Sequence, residues 1–156
     1  LRLNGIQYID DSLASTLAKH RGRTLYLDNL HHIDIEVLEI LVRHAGRGLS
    51  LSGLNDLSIQ EAAILSNYRG RLSVNGLANP DSTTLAALVQ HSGKSMSLSS
   101  LKGLSHSQAK QFARYKGDLY LRGLREIPRE ADSEFDNRDD NNNIISKIYN
   151  DKLLNK

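Results

Sequence analysis

A strand-like signature recurs six times along this chain. Each copy has two apolar residues flanking a single residue, with a third apolar residue three positions later. The copies are Leu1-Leu3-Ile6, Leu25-Leu27-Leu30, Leu49-Leu51-Leu54, Leu72-Val74-Leu77, Met96-Leu98-Leu101 and Leu119-Leu121-Leu124. Their first members are 24, 24, 23, 24 and 23 residues apart. A short unit repeated on a fixed beat cannot bury its own apolar face, so such a chain folds by stacking one unit on the next.

Further columns keep the same beat. Gly22, Gly46, Gly70, Gly93 and Gly117 recur in phase with the strands. Twelve residues before each glycine stands a helix N-cap type, namely Asp10, Asp34, Ser58, Asp81 and Ser105. These short polar side chains accept hydrogen bonds from the free N–H groups of a first helical turn. Glu61 and Gln108 stand three residues after Ser58 and Ser105 and complete capping boxes. The glycines suit a left-handed residue that ends a helix. Between cap and glycine run two apolar columns three residues apart, on one helical face. One is Ala14, Leu38, Ala62, Leu85 and Ala109; the other is Leu17, Leu41, Leu65, Leu88 and Phe112.

Each unit therefore reads as short strand, turn, helix and glycine stop. The expected fold is α/β, with short parallel strands on one side and a row of helices on the other. Strands stack at ~4.8 Å and helices are ~10 Å across, so the stack should bend with its sheet on the concave side and its helices on the convex side. Strand-helix-strand crossovers are almost always right-handed, which predicts a right-handed solenoid. Composition agrees: 39% of the residues are hydrophobic, enough for a continuous core, and Leu occupies 24 of the first 124 positions. With no Trp, two Phe and six Tyr, large aromatic side chains are not expected to build that core.

The LxLxxL strand, the 23–24-residue period and the strand-plus-helix unit resemble the leucine-rich repeat family. The spacing lies within the ~20–29 residues of such repeats and below the ~33–34 of ankyrin or tetratricopeptide units. The segment LSLSGLNDLSIQEAAILSNYRGR is the clearest copy and is similar to arrays in bacterial proteins. The resemblance covers residues 1–124. One place departs from it. The family carries an asparagine ladder three residues after the second apolar strand position, and here Ile6, Leu30, Leu54, Leu77, Leu101 and Leu124 stand there. The turn must then satisfy its backbone groups in another way.

Residues 1–124 read as five full repeats plus a sixth strand, a piece of a longer array, since Leu1 already occupies a strand position. No targeting segment is visible, which leaves the compartment open. Residues 125–156 read as a polar tail with a disordered centre at DNRDDNNN; its last stretch reads as a frayed end, with a short helix bearing Ile145, Tyr149, Lys152 and Leu153 as the alternative. No apolar run approaches the ~20 residues of a membrane-spanning helix.

The chemistry-bearing residues are few. His20, His44, Tyr68, His91 and Tyr115 stand two residues before each glycine. A metal site is one reading of this column. Tyr does not replace His as a zinc ligand, and no acidic column accompanies it, so the rings read as packed structural groups. His31 and His32 supply two adjacent ligand types on a turn and no more. With no Cys, no P-loop, no GxGxxG, no HExxH and no GxSxG, neither a catalytic residue, nor a metal site, nor a cofactor is expected.

The outward residues of the strands are therefore the expected functional surface. They are Arg2, Tyr26, Ser50, Ser73, Ser97 and Tyr120, followed by Asn4, Asp28, Ser52, Asn75, Ser99 and Arg122. Tyr and Arg are enriched in binding hot spots, whereas Ser is under-represented. The expected binding residues are Tyr26, Asp28, Tyr120, Arg122, Arg2 and Asn75, against the alternative of a merely soluble serine-rich face. Basic residues near the glycines, from Lys19, Arg21 and Arg23 through Lys116, read as complements to the helix dipoles, with polyanion binding as the rival reading. Net charge is only +2 and aromatics for base stacking are sparse, which argues against nucleic acid as the partner. The expected function is a non-enzymatic scaffold that binds a protein on its sheet face. The alternative is the recognition arm of a longer enzyme or effector.

Overall fold

The structure, a computed structural model, describes residues 1–125. Five helices and five three-residue strands alternate. The helices are α1 (Asp11–Ala18), α2 (Ile35–Leu41), α3 (Ile59–Ser66), α4 (Ser82–Leu88) and α5 (His106–Ala113). The strands are β1 (Thr24–Tyr26), β2 (Gly48–Ser50), β3 (Arg71–Ser73), β4 (Ser95–Ser97) and β5 (Asp118–Tyr120). The fold is α/β, with one all-parallel sheet in the order β1-β2-β3-β4-β5. Each helix packs on its sequence neighbours, α1 on α2 through α4 on α5.

Register follows the repeat. Leu25, Leu49, Leu72, Met96 and Leu119 lie side by side, and Tyr26, Ser50, Ser73, Ser97 and Tyr120 form the next row. The one-residue difference between 24- and 23-residue units falls between Gly70 and Leu72 and between Gly117 and Leu119, so it shifts neither strand nor helix. Both helical columns are buried, and so are the paired strand columns, which close one hydrophobic core between sheet and helices.

The helix starts follow their caps. Asp10, Ser58, Asp81 and Ser105 each accept from a first-turn N–H, and both capping boxes form. Asp34 makes no such bond; its carboxylate instead lies 3.7 Å from His32 Nε2. The turn after each strand is closed by one repeated hydrogen bond. The N–H of Ile6, Leu30, Leu54, Leu77, Leu101 and Leu124 each donates to the carbonyl three residues earlier, at 3.0–3.4 Å. This backbone bond satisfies one amide of each turn where the family's asparagine would stand.

Three expectations need correction. Large aromatics do build the core, because Tyr68, Tyr115 and Phe112 are among its largest fully buried side chains. The glycines are not left-handed helix stops. No described residue has positive φ, and the helices end in right-handed C-caps. Their role is steric. A Cβ on Gly46 would overlap the His44 ring and approach Gly22 O at 2.7 Å; one on Gly93 would overlap Gly70 O and approach the His91 ring. Finally, Leu1–Leu3 is not a strand of its own. It lies along β1 through Leu1 O, Leu3 N–H and a single bridge of Arg2 with Tyr26. The tail beyond Arg125, including the stretch read as a frayed end or alternatively as a short helix, lies outside the described residues.

Candidate functional site

The outward sheet face brings the expected binding residues onto one row and the row behind it. Arg2 pairs with Tyr26, and the row continues through Ser50, Ser73 and Ser97 to Tyr120. Tyr26 and Tyr120 thus stand four strand spacings apart, roughly 19 Å at ~4.8 Å per step. Between them lies a shallow groove of about 450 Å³ floored by the serines and edged by Tyr26, Tyr120 and Arg122.

The serine floor is hydrogen-bonded within itself. Asp28 Oδ1 accepts from Ser50 Oγ at 2.5 Å and from the Ser52 amide at 3.1 Å. Two strands on, Asn75 Oδ1 accepts from Ser97 Oγ at 2.7 Å and from the Ser99 amide at 2.9 Å. The two halves join through Ser52 Oγ, 3.0 Å from Ser73 Oγ, which in turn accepts from Asn75 Nδ2 at 2.8 Å. Asp28 and Asn75 therefore each join neighbouring strands, and the Oδ1 of each already faces protein donors. A ladder of Asp and Asn exists, but on the exposed face of the sheet. Its sequence signal is an Asp or Asn with serines at its own position and two before it in the next copy.

The rim residues differ from the floor. The Arg2 guanidinium lies 4.4 Å from the centroid of the Tyr26 ring, a cation–π geometry. Tyr120 is 39% exposed, enough to offer its ring to a partner. Arg2 and Arg122 are exposed, and Tyr26 is half-buried.

The His/Tyr column lies elsewhere, over the glycines. His20 stacks on His44 with ring centroids 5.4 Å apart, His44 on Tyr68 at 6.5 Å, and His91 on Tyr115 at 6.0 Å. The Tyr68 hydroxyl donates to Gly46 O at 3.1 Å, one repeat back. His91 Nδ1 lies 2.9 Å from the Tyr115 hydroxyl. Burial, reinforced by the charge of His20, holds the His44 pKa below the ordinary histidine value. The carbonyls of Leu17 and Ala18 oppose this only in part, since neither His44 ring nitrogen meets a hydrogen-bond partner of good geometry. Burial likewise lowers the His91 pKa and pushes the Tyr68 phenol up to about 12. The Tyr115 phenol is raised by burial, then by the Asp118 charge. Burial thus favours the neutral forms of His44, Tyr68, His91 and Tyr115. His31 Nδ1 lies 3.1 Å from Gly53 O. Among the described residues, no three His, Cys, Asp or Glu side chains converge on a point that would hold a metal ion.

The basic residues sort differently from expectation. The last turns of α1 to α4 contain no basic residue, and Lys110 of α5 is the exception. Lys19 and Arg114 are C-caps and fit the dipole reading. Most of the others lie beyond the helices, in the links that lead to the strands. Among the described residues no helix is long and apolar enough to cross a membrane. No family model, curated protein or solved structure matches the chain.

Proposed function

We propose that the chain is a right-handed solenoid of leucine-rich-repeat type, concave on its sheet side, and that it serves as a non-enzymatic scaffold for a protein partner. Support for the architecture comes from the in-register parallel strands, from the neighbour-on-neighbour helices, and from the ~10 Å width of a helix against the ~4.8 Å spacing of strands. The observation that carries the function is the outward row itself. A floor of hydrogen-bonded serines lies between Tyr26, braced by Arg2, and exposed Tyr120 beside Arg122.

A floor that is already hydrogen-bonded is rigid, and a partner need not order it on binding. The aromatic and Arg rims supply the residue types that dominate binding energy. Recognition then runs through shape and side-chain complementarity, with no bond made or broken. The test is a triple variant, Tyr26→Ala, Tyr120→Ala and Arg122→Ala, compared with the wild-type chain in capturing partner from lysate of the source cells. The variant should stay folded by circular dichroism and lose the captured protein, whereas Ile59→Ala, at an exposed position on helix α3, should keep it. Equal capture by both variants would contradict the proposal.

A further inference from the structure

Six cations, Arg23, Arg43, Arg47, Arg69, Arg71 and Lys94, line a second groove of about 880 Å³ at the ends of the strands where the chain enters the sheet. No acidic residue lines it. Among the described residues, none of the six forms an ion pair. Helix dipoles do not account for the set, because only Arg43 directly follows a helix C-cap, Val42 of α2. The repeat places them in a row. Arg23, Arg47 and Lys94 each precede a strand directly, and Arg71 opens β3. Arg23 and Arg47 stand on adjacent strands ~4.8 Å apart, and Lys94 takes the same position two strands beyond Arg47, so this edge of the sheet gathers like charge that an anion would relieve.

We infer that this groove binds the carboxylates of an acidic polypeptide, as the charged half of the partner-binding surface. The inference rests on the interaction-face reading and adds the partner's chemistry to it. Five of the six cations are Arg, whose planar fork matches a carboxylate or a phosphate bidentately, and the lining chooses between them. No Tyr, Phe or Trp lines the groove, so it lacks the stacking platforms by which single-stranded nucleic acid is held. Continuity supplies the link: Thr24 and Arg71 line both this groove and the serine-floored one, so one partner spans both.

The probe is a fluorescein-labelled deca-glutamate peptide, titrated onto the full chain and followed by fluorescence polarisation. The wild-type chain should bind it in low-salt buffer and release it as salt rises. The variant Arg47→Glu with Arg71→Glu, both exposed positions, should keep its circular dichroism and bind about tenfold or more weakly. Should the double variant fail to fold, Lys94→Glu alone provides a milder reversal and should still weaken binding. Ile59→Ala should leave the affinity for this probe within about twofold, since this exposed side chain on α3 lies outside both grooves. No binding by the wild-type chain, or equal binding by the reversed variants, overturns the inference. Tighter binding of a decathymidylate, by more than about tenfold, reassigns the groove to nucleic acid and also overturns it. A chain that ignores deca-glutamate yet crosslinks a protein partner through position 120 loses this inference alone.

Discussion

The Asp28 carboxylate, two residues beyond Tyr26 of β1, accepts the Ser50 hydroxyl of β2 at 2.5 Å and the Ser52 amide at 3.1 Å. The bond ties two repeats together on the face that water reaches. Removing the acceptor leaves a hydroxyl and a half-buried amide without it. We predict that Asp28→Ala costs about 1–3 kcal/mol in urea unfolding, whereas Asp28→Asn, which keeps an acceptor oxygen, costs much less. Asn75→Ala should behave like Asp28→Ala, because Asn75 bonds Ser97 and Ser99 in the same way. Unchanged unfolding midpoints in both alanine variants would remove the ladder from the account of stability.

The buried imidazoles make stability depend on pH. His44 and His91 have folded-state pKa values below the ordinary 6.5, so the unfolded chain binds their protons first as pH falls. Their stabilising contribution is complete above pH 6.5 and is lost progressively below it, down to the folded-state pKa. Melting temperature should therefore drop between pH 7.5 and pH 5.5. In a His44→Tyr, His91→Tyr variant, built from the column's other residue, the drop should shrink. A variant as pH-sensitive as the parent would show that other groups set the slope.

Gly46 sits under the His44 ring, with Gly22 O 2.7 Å from where a Cβ would stand. Neither the ring nor the backbone can yield without disturbing the stack. We predict that Gly46→Ala destabilises by about 1–3 kcal/mol in thermal melting. Gly103, whose Cβ would meet nothing within 4 Å, is the control. Gly103→Ala should be neutral or stabilise by up to about 1 kcal/mol. Equal effects at both positions would mean that the glycine column is not a packing requirement.

Leu65 of α3 is fully buried in the continuous core. Leu65→Asp places an unpaired charge there and should unfold the chain, while Leu65→Ala should cost about 2–5 kcal/mol. Far-UV circular dichroism under heating reads both. A native melt for Leu65→Asp would mean that the helical column faces solvent.

Much of this architecture was legible because two periodicities coincide with one beat. Alternation around Leu25 and Leu27 marks a strand, and the three-residue step from Ala62 to Leu65 marks a helical face. Caps such as Ser58 with Glu61 fixed the helix starts. What escaped depends on neighbours one repeat away. A glycine in sequence does not disclose the sign of its φ, so Gly46 read as a helix stop when it is a seat for His44. Counting aromatics did not locate Tyr68, Phe112 and Tyr115 at the centre of the core. The outward residues could be named, but only cross-strand register shows that Asp28 and Asn75 are engaged with the next strand. The basic residues likewise read as dipole partners until the helix ends were placed short of them.

The central claim is that a protein partner docks on the outward row between Tyr26 and Tyr120. Replacing Tyr120 with the photo-crosslinking amino acid p-benzoylphenylalanine keeps an aromatic ring at that exposed position. The same replacement at Ile59, on the helical side, is the reference. After irradiation in lysate of the source cells, the account predicts a discrete covalent adduct from position 120 and none of that mass from position 59. Adducts from position 59 alone would place the docking surface on the helices and contradict it.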